Sequence, residues 1–331
     1  TEKAACSNLI IINEEIHNHM KFFLAPMQGL TGYIVRNAFH HHFDYIDKYY
    51  TPFIPAAKRM NAKIKRDIDP VNNDGITLIP QAMSIVADEV IDLHRQLVPY
   101  GYDEINVNLG CPSGTVVSKK RGSGILAYPD MLDSFLDELY TKADFPVSIK
   151  TRVGFNDDEL WPRLIEIYSK YPISELTAHP RVQKDFYKNT PRMDDFALAM
   201  QKINPDKTTL CYNGDITDTN SFNALTDCFP DIDEIMIGRG LFATPALIAE
   251  LKGISMDKAE LRERLKNWHD EILSGYLSIF SGEKDAMFRM KEIWAYMHEL
   301  FSDSEKLWNK IKKCQAFNDY KSIVRMAFDA F

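Results

Sequence analysis

The sequence predicts a (β/α)8 TIM barrel followed by a small all-α helical bundle, and three observations carry that reading. Short runs rich in β-branched and aromatic residues recur eight times between residues 21 and 238, each closed by a polar, Gly or Pro cluster. Stretches with apolar residues at helical spacing lie between them, as in Ala87–Leu97, Met131–Tyr140 and Trp161–Tyr168, and strands alternating with helices imply parallel βαβ units. From Ile254 to the end no strand pattern remains, and the amphipathic segments are rich in Leu, Lys, Glu, Met and Trp. A doubly wound open sheet is the competitor, but such sheets usually stop at about five to seven strands.

In order, the expected strands are Lys21–Ala25, Tyr45–Tyr50, Thr77–Gln81, Glu104–Asn108, Val147–Thr151, Glu175–His179, Thr208–Asn213 and Glu234–Gly238. The expected tail helices are Lys258–Ser274, Asp285–Phe301, Lys306–Lys313 and Tyr320–Phe331. Residues 1–19 read as an N-terminal extension, because the apolar run Leu9–Ile12 is too short for a signal-peptide core and Glu14 and Glu15 follow at once. A barrel over residues 20–248 and a helical region over 249–331 complete the expected organisation.

The chain has 331 residues, of which 45% are hydrophobic and 26% charged, which excludes a disordered or low-complexity protein. No apolar run approaches the ~20 residues that cross a bilayer. The five cysteines, Cys6, Cys111, Cys211, Cys228 and Cys314, show no CxxC spacing, so neither a disulfide framework nor a zinc site is expected, and the cytoplasm is the natural compartment. A net charge of −8 argues against a general nucleic-acid binder. Two local clusters, Lys58, Arg59, Lys63, Lys65 and Arg66, then Lys306, Lys310, Lys312 and Lys313, read either as basic faces or as ordinary solvated surface. Adjacent histidines on a helix diverge, so His40-His41-His42 is not read as a metal site, and no metal is expected. Trp268, Trp294 and Trp308 are expected to anchor the tail helices.

Barrel enzymes carry their chemistry at the C-terminal ends of the strands. Here those ends read Ala25-Pro26-Met27-Gln28-Gly29, then Gln81, then Asn108-Leu109-Gly110-Cys111-Pro112. The fifth carries Lys150 and Arg152, the sixth His179 and Arg181, the seventh Asn213-Gly214-Asp215 and the eighth Gly238-Arg239-Gly240. A lysine between Ile149 and Thr151 is costly to bury without an anionic partner. Glycine turns after strands seven and eight form the phosphate site of many barrels, and Arg239 adds a bidentate donor. A loop cysteine in a catalytic mouth is liable to oxidise, so Cys111 reads as kept for reactivity.

Together these segments resemble the flavin-dependent tRNA-dihydrouridine synthases. LAPMQGLTGYIVR resembles that family's first-strand signature and INVNLGCPSGTVVSKKRGSGIL its catalytic loop. VSIKTRVGF, LTAHPRV, LCYNGDI and IMIGRGLFATP resemble its later strand motifs, in register from about residue 22 to 247. The resemblance implies an FMN-containing barrel that reduces a uridine of tRNA to 5,6-dihydrouridine with NADPH as reductant, as a monomer. It implies that the backbone of Ala25, Pro26 and Met27 faces the flavin, and that Gln81 and Lys150 hydrogen-bond its pyrimidine edge, with Lys150 balancing negative charge there. It further implies that His179, Asn213, Gly214, Asp215, Gly238 and Arg239 hold the ribityl phosphate. Asn108 and Arg181 would contact the substrate, and Cys111 would be the acid. Gly32, Asn106 and His179-Pro180-Arg181 depart from the family pattern, in which an acidic residue, Asp and His-Gly-Arg or His-Ala-Arg are usual.

The chemistry is coherent without the family. The C5=C6 bond of uracil is conjugated to C4=O, so hydride adds at C6 to give an enolate, and a thiol, mostly protonated at pH 7, supplies the proton that C5 takes up. A target inside folded tRNA must be extruded into the mouth. Two alternatives stand beside this reading. One is another FMN barrel, similar to dihydroorotate dehydrogenase or an ene-reductase, acting on a small molecule. The other is a catalytically silent RNA-binding protein.

Overall fold

The computed structural model describes residues 19–56 and 59–331; the expected extension up to residue 18, with Cys6, and the basic Lys58 lie outside the described residues. All strand pairings are parallel. The strands are β1 (Lys21–Leu24), β2 (Lys48–Tyr50), β3 (Ile54–Pro55), β4 (Leu78–Ile79), β5 (Gln81–Met83), β6 (Ile105–Leu109), β7 (Val147–Gly154), β8 (Glu175–Val182), β9 (Thr209–Tyr212) and β10 (Glu234–Ile237).

The ten segments make eight staves. The expected second strand continues past the Pro52 bend into β3, and the third is split at Pro80 into β4 and β5, because proline has no N–H to give the ladder. β4 pairs with β2, whereas β5 pairs with β3 and β6. With β10 paired to β1, and β1 to β2, the ring closes on itself. Closure removes every free edge, as a barrel requires.

Alternation along β6 to β8 explains why these strands look half polar. Ile105, Val107, Leu109, Val147, Ile149, Leu176 and Val182 join one apolar cluster with Val90, Leu93, Leu136, Leu139, Leu164 and Ile165 of the surrounding helices. The intervening residues Asn106, Asn108, Ser148, Lys150, Thr177 and His179 take the other face, at period two. At the N-terminal end of the barrel Glu175 accepts from Lys48 Nζ at 2.7 Å and from Tyr50 Oη at 2.7 Å, a buried polar layer below the site.

The expected helices Ala87–Leu97 and Trp161–Tyr168 form with those bounds, and Met131–Tyr140 lies within Pro129–Lys142. The tail forms Lys258–Ile279, Glu283–Met297, Ser304–Lys313 and Phe317–Asp329. Its first helix begins at an Asp257 cap, whose carboxylate accepts from Glu260 N at 2.8 Å. It lies along the barrel helix Tyr33–His42. Trp268 is buried against Phe39, with ring centroids 5.1 Å apart. Gly275 is required there, since a Cβ would sit 2.6 Å from Ile34 Cγ2. His41 and His42 both reach the Glu271 carboxylate at 2.8 Å, and His40 pairs with Asp44. One apolar cluster therefore runs without a break from β1 and β10 into the tail.

Candidate active site

The C-terminal strand ends enclose a cleft of about 430 Å3, within the ~300–1,000 Å3 range of ligand sites. Ala25, Pro26, Met27, Asn108, Cys111, Lys150, His179, Asn213, Gly214, Asp215, Gly238 and Arg239 all line it. Gln81 and Arg181 do not. Gln81 lies fully buried behind Asn108, whose Nδ2 donates to Gln81 Oε1 at 2.7 Å. Arg181, 1% exposed, sits behind Asp215 and donates to it with both terminal nitrogens.

Cys111 follows β6 on a loop closed by the turn Gly122–Ala127. Ser123 donates to the Cys111 carbonyl from its backbone N at 3.1 Å and from its hydroxyl at 2.9 Å. Gly122 has φ +55°, and a Cβ there would meet the Cys111 carbonyl oxygen at 2.8 Å, so only glycine fits. Burial pushes the Cys111 thiol up from its ordinary value, outweighing a backbone hydrogen bond at Ser113 and the charges of Arg152 and Lys150. At neutral pH this sulfur holds its proton.

Cations dominate the rest of the cleft. Lys150 donates to Asn213 Oδ1, and Asn213 Nδ2 is held by the Met236 carbonyl at 2.7 Å. Burial, seconded by the Arg152 guanidinium, lowers Lys150 to about 7. Arg239 Nη2 meets Asp215 Oδ1 at 2.7 Å. Burial works to raise the Asp215 carboxyl, but hydrogen bonds and charge from Arg181 and Arg239 bring it below its ordinary value. Burial, then Arg152, Lys150 and the other guanidinium groups, hold His179 well below the usual imidazole range. The neutral ring accepts from Arg181 Nη1 at Nε2 over 3.2 Å, which leaves the proton on Nδ1.

Several lining residues carried no readable signal. Arg152 was evident as a strand-end cation, but its role was not. It donates to the carbonyls of Gly110 at 3.1 Å, Val182 at 2.9 Å and Phe186 at 2.7 Å, tying the Cys111 loop to the loop after β8. Phe186 is held at φ +51°, an uncommon conformation for a side-chain-bearing residue and one that clusters at functional sites. Tyr187 lies under Arg239, whose Cζ is 4.6 Å from the ring centroid, and stacks with His179 at 6.4 Å. Phe53 enters from the bend between β2 and β3, and Tyr296 from the tail helix Glu283–Met297. Loop aromatics and one residue of an amphipathic helix have no period that marks them.

A closed parallel barrel whose polar groups gather at the C-terminal strand ends, with cations around a cleft and a protonated thiol at its edge, is a (β/α)8-barrel enzyme. More narrowly, this chain belongs to the dihydrouridine synthase family, whose model matches residues 23–329. It is 27% identical to a probable tRNA-dihydrouridine synthase of Staphylococcus aureus over 82% of this chain and 81% of that one. It is 26% identical to the tRNA-dihydrouridine(16) synthase of Haemophilus influenzae, over 91% and 98% respectively. Among solved structures, a variant of NCR from Zymomonas mobilis shares the fold, with a TM-score of 0.50 at 11% identity over 75% of this chain and 90% of that one. Among the described residues no helix is long and apolar enough to cross a membrane, and no cluster of three or more metal-ligating side chains occurs.

Proposed function

We propose that this protein reduces a uridine of tRNA to 5,6-dihydrouridine, with FMN held in the barrel mouth and NADPH as the source of electrons. The observation that carries the reading is the placement of Cys111 beside Asn108 at the edge of a cation-lined cleft, where burial favours the thiol over the thiolate. The donor set suits an anionic, amphipathic cofactor: Lys150, Arg152 and Arg239 face a single carboxylate, Asp215, while Ala25, Pro26 and Met27 offer apolar surface. Arg239, with the backbone at Gly214 and Gly238, would hold a phosphate; His179 and Asn213 would hold the ribityl chain. Bound flavin supplies the hydride that uracil takes at C6.

The protein does the rest. Asn108 orients the base, Lys150 supplies positive charge within a desolvated cleft, and Cys111 delivers its proton to C5 from sulfur. The helix Ala62–Ile68 with Arg59, and the helix Ser304–Lys313, keep Lys63, Lys65, Arg66, Lys306, Lys310, Lys312 and Lys313 exposed, which suits contact with an RNA backbone. In this reading residues 20–248 are the catalytic unit and residues 249–331 the RNA-facing one.

The test is Cys111→Ala. FMN binding and NADPH-driven bleaching of its absorbance are expected to persist, while dihydrouridine formation on tRNA falls at least ~100-fold, the scale of a lost general acid. Undiminished product would remove Cys111 from the mechanism, and purified protein that refuses FMN would remove the flavin.

A further inference from the structure

Below Asn108 the barrel interior carries a file of amide side chains. Asn108 Nδ2 donates to Gln81 Oε1 at 2.7 Å, Gln81 Nε2 to Asn106 Oδ1 at 2.8 Å, and Asn106 Nδ2 to Ser148 Oγ at 3.1 Å. Gln81, Asn106 and Ser148 are fully buried and share one register row across β5, β6 and β7. At the top of the file the backbone N–H groups of Gly110 and Cys111 both donate to Asn108 Oδ1, at 3.1 and 2.9 Å.

Those two backbone groups set the direction of every amide beneath them. A backbone N–H can only donate, so Asn108 must turn its oxygen to them and its nitrogen to Gln81. Gln81 must then accept with Oε1 and donate with Nε2, which obliges Asn106 to present its oxygen. The Ser148 hydroxyl can accept from Asn106 and closes the file. Turning one amide over would set donor against donor among fully buried side chains.

We infer that Asn106 is a positioning residue: by accepting from Gln81 Nε2 it holds Gln81 Oε1 against Asn108 Nδ2, and so fixes in place a carboxamide that the Gly110 and Cys111 N–H groups have turned to offer the cleft an N–H and no acceptor. Asn108 Oδ1 is engaged twice, and one of its two Nδ2 hydrogens is taken by Gln81; the other remains. A donor-only group selects a carbonyl oxygen. Uracil carries O4 where cytosine carries an amino group that would oppose the donor, so the locked amide favours uracil over cytosine. O4 also gains charge when hydride reaches C6, and it is bonded to C4, next to the C5 that Cys111 protonates. This assignment rests on the uridine-reducing reading of the site.

Two substitutions separate orientation from packing. Asn106→Asp keeps an oxygen that accepts from Gln81 Nε2 and can accept from the Ser148 hydroxyl, whereas Asn106→Leu leaves Gln81 Nε2 without its acceptor and frees the side chain to swing away from Asn108. With flavin-loaded full-length enzyme, tRNA and NADPH, Asn106→Leu is expected to lower kcat at least tenfold, with KM for tRNA and the rate of flavin bleaching within about twofold. Asn106→Asp is expected to stay within threefold of the parent. Wild-type turnover by Asn106→Leu, or an equal loss in Asn106→Asp, overturns the assignment. A second readout needs no reaction: in 15N-labelled holoenzyme one Asn108 side-chain hydrogen should exchange slowly in the parent and in Asn106→Asp, and quickly in Asn106→Leu. Unchanged protection in Asn106→Leu overturns the assignment even if the parent makes no dihydrouridine, an outcome that by itself sinks only the uridine reading.

Discussion

Lys150 decides how much positive charge the cleft carries near neutrality. Burial and the neighbouring Arg152 bring it to about 7, so it is largely charged below that pH and largely neutral above it. An anion prefers the charged form, and its binding must therefore take up a proton as pH rises. Affinity for FMN is expected to fall at least threefold between pH 6.5 and 8.5 in fluorescence titrations. Lys150→Met should bind more weakly at pH 6.5 and show a flat profile; a parent enzyme with no pH dependence would place the lysine's charge outside the binding step. The presence of a lysine at this strand end was readable from VSIKTRVG. Its depressed pKa was not, because that depends on how deeply the neighbouring strands bury it.

Among the secondary-structure elements, the tail helix Lys258–Ile279 has the most consequential seat, because it seals the barrel helix Tyr33–His42. Trp268 meets Phe39 at 5.1 Å and Phe242 at 6.4 Å between centroids, with no solvent exposure. Trp268→Ala should lower the unfolding free energy by about 3–5 kcal/mol, the usual cost of emptying a buried aromatic site, as read from urea titrations followed by circular dichroism. A loss under about 1 kcal/mol would mean that other contacts hold the two helices. The anchoring role of Trp268 and Trp294 was legible from their helical spacing, since both are buried. The split of the third strand was legible only in hindsight: Pro80 marks the break, but its meaning, one half turned to β2 and the other to β3 and β6, depends on pairing partners far along the chain.

Barrel and tail together share one apolar cluster, and Tyr296 of the tail lines the barrel's own cleft. Truncation before Lys258 would uncover Ile34, Phe39 and Phe242 and remove one wall of the site. The shortened protein is expected to be poorly soluble, and to lose FMN on gel filtration where the full chain retains it. A soluble truncation that keeps FMN undiminished would make the tail a separable attachment.

The eight-stave rhythm, the helical tail and the residue types waiting at each strand end are all written in short stretches of chain, because period and turn chemistry are properties of neighbouring residues. Depth and partnership came from packing instead. Packing placed Gln81 and Arg181 behind the cleft wall, brought Tyr187 and Tyr296 to the mouth, tied two loops through Arg152 and gave the Asn108 amide its direction. Each of these depends on which distant segment lies alongside, and a residue's own neighbours in the chain carry no record of that.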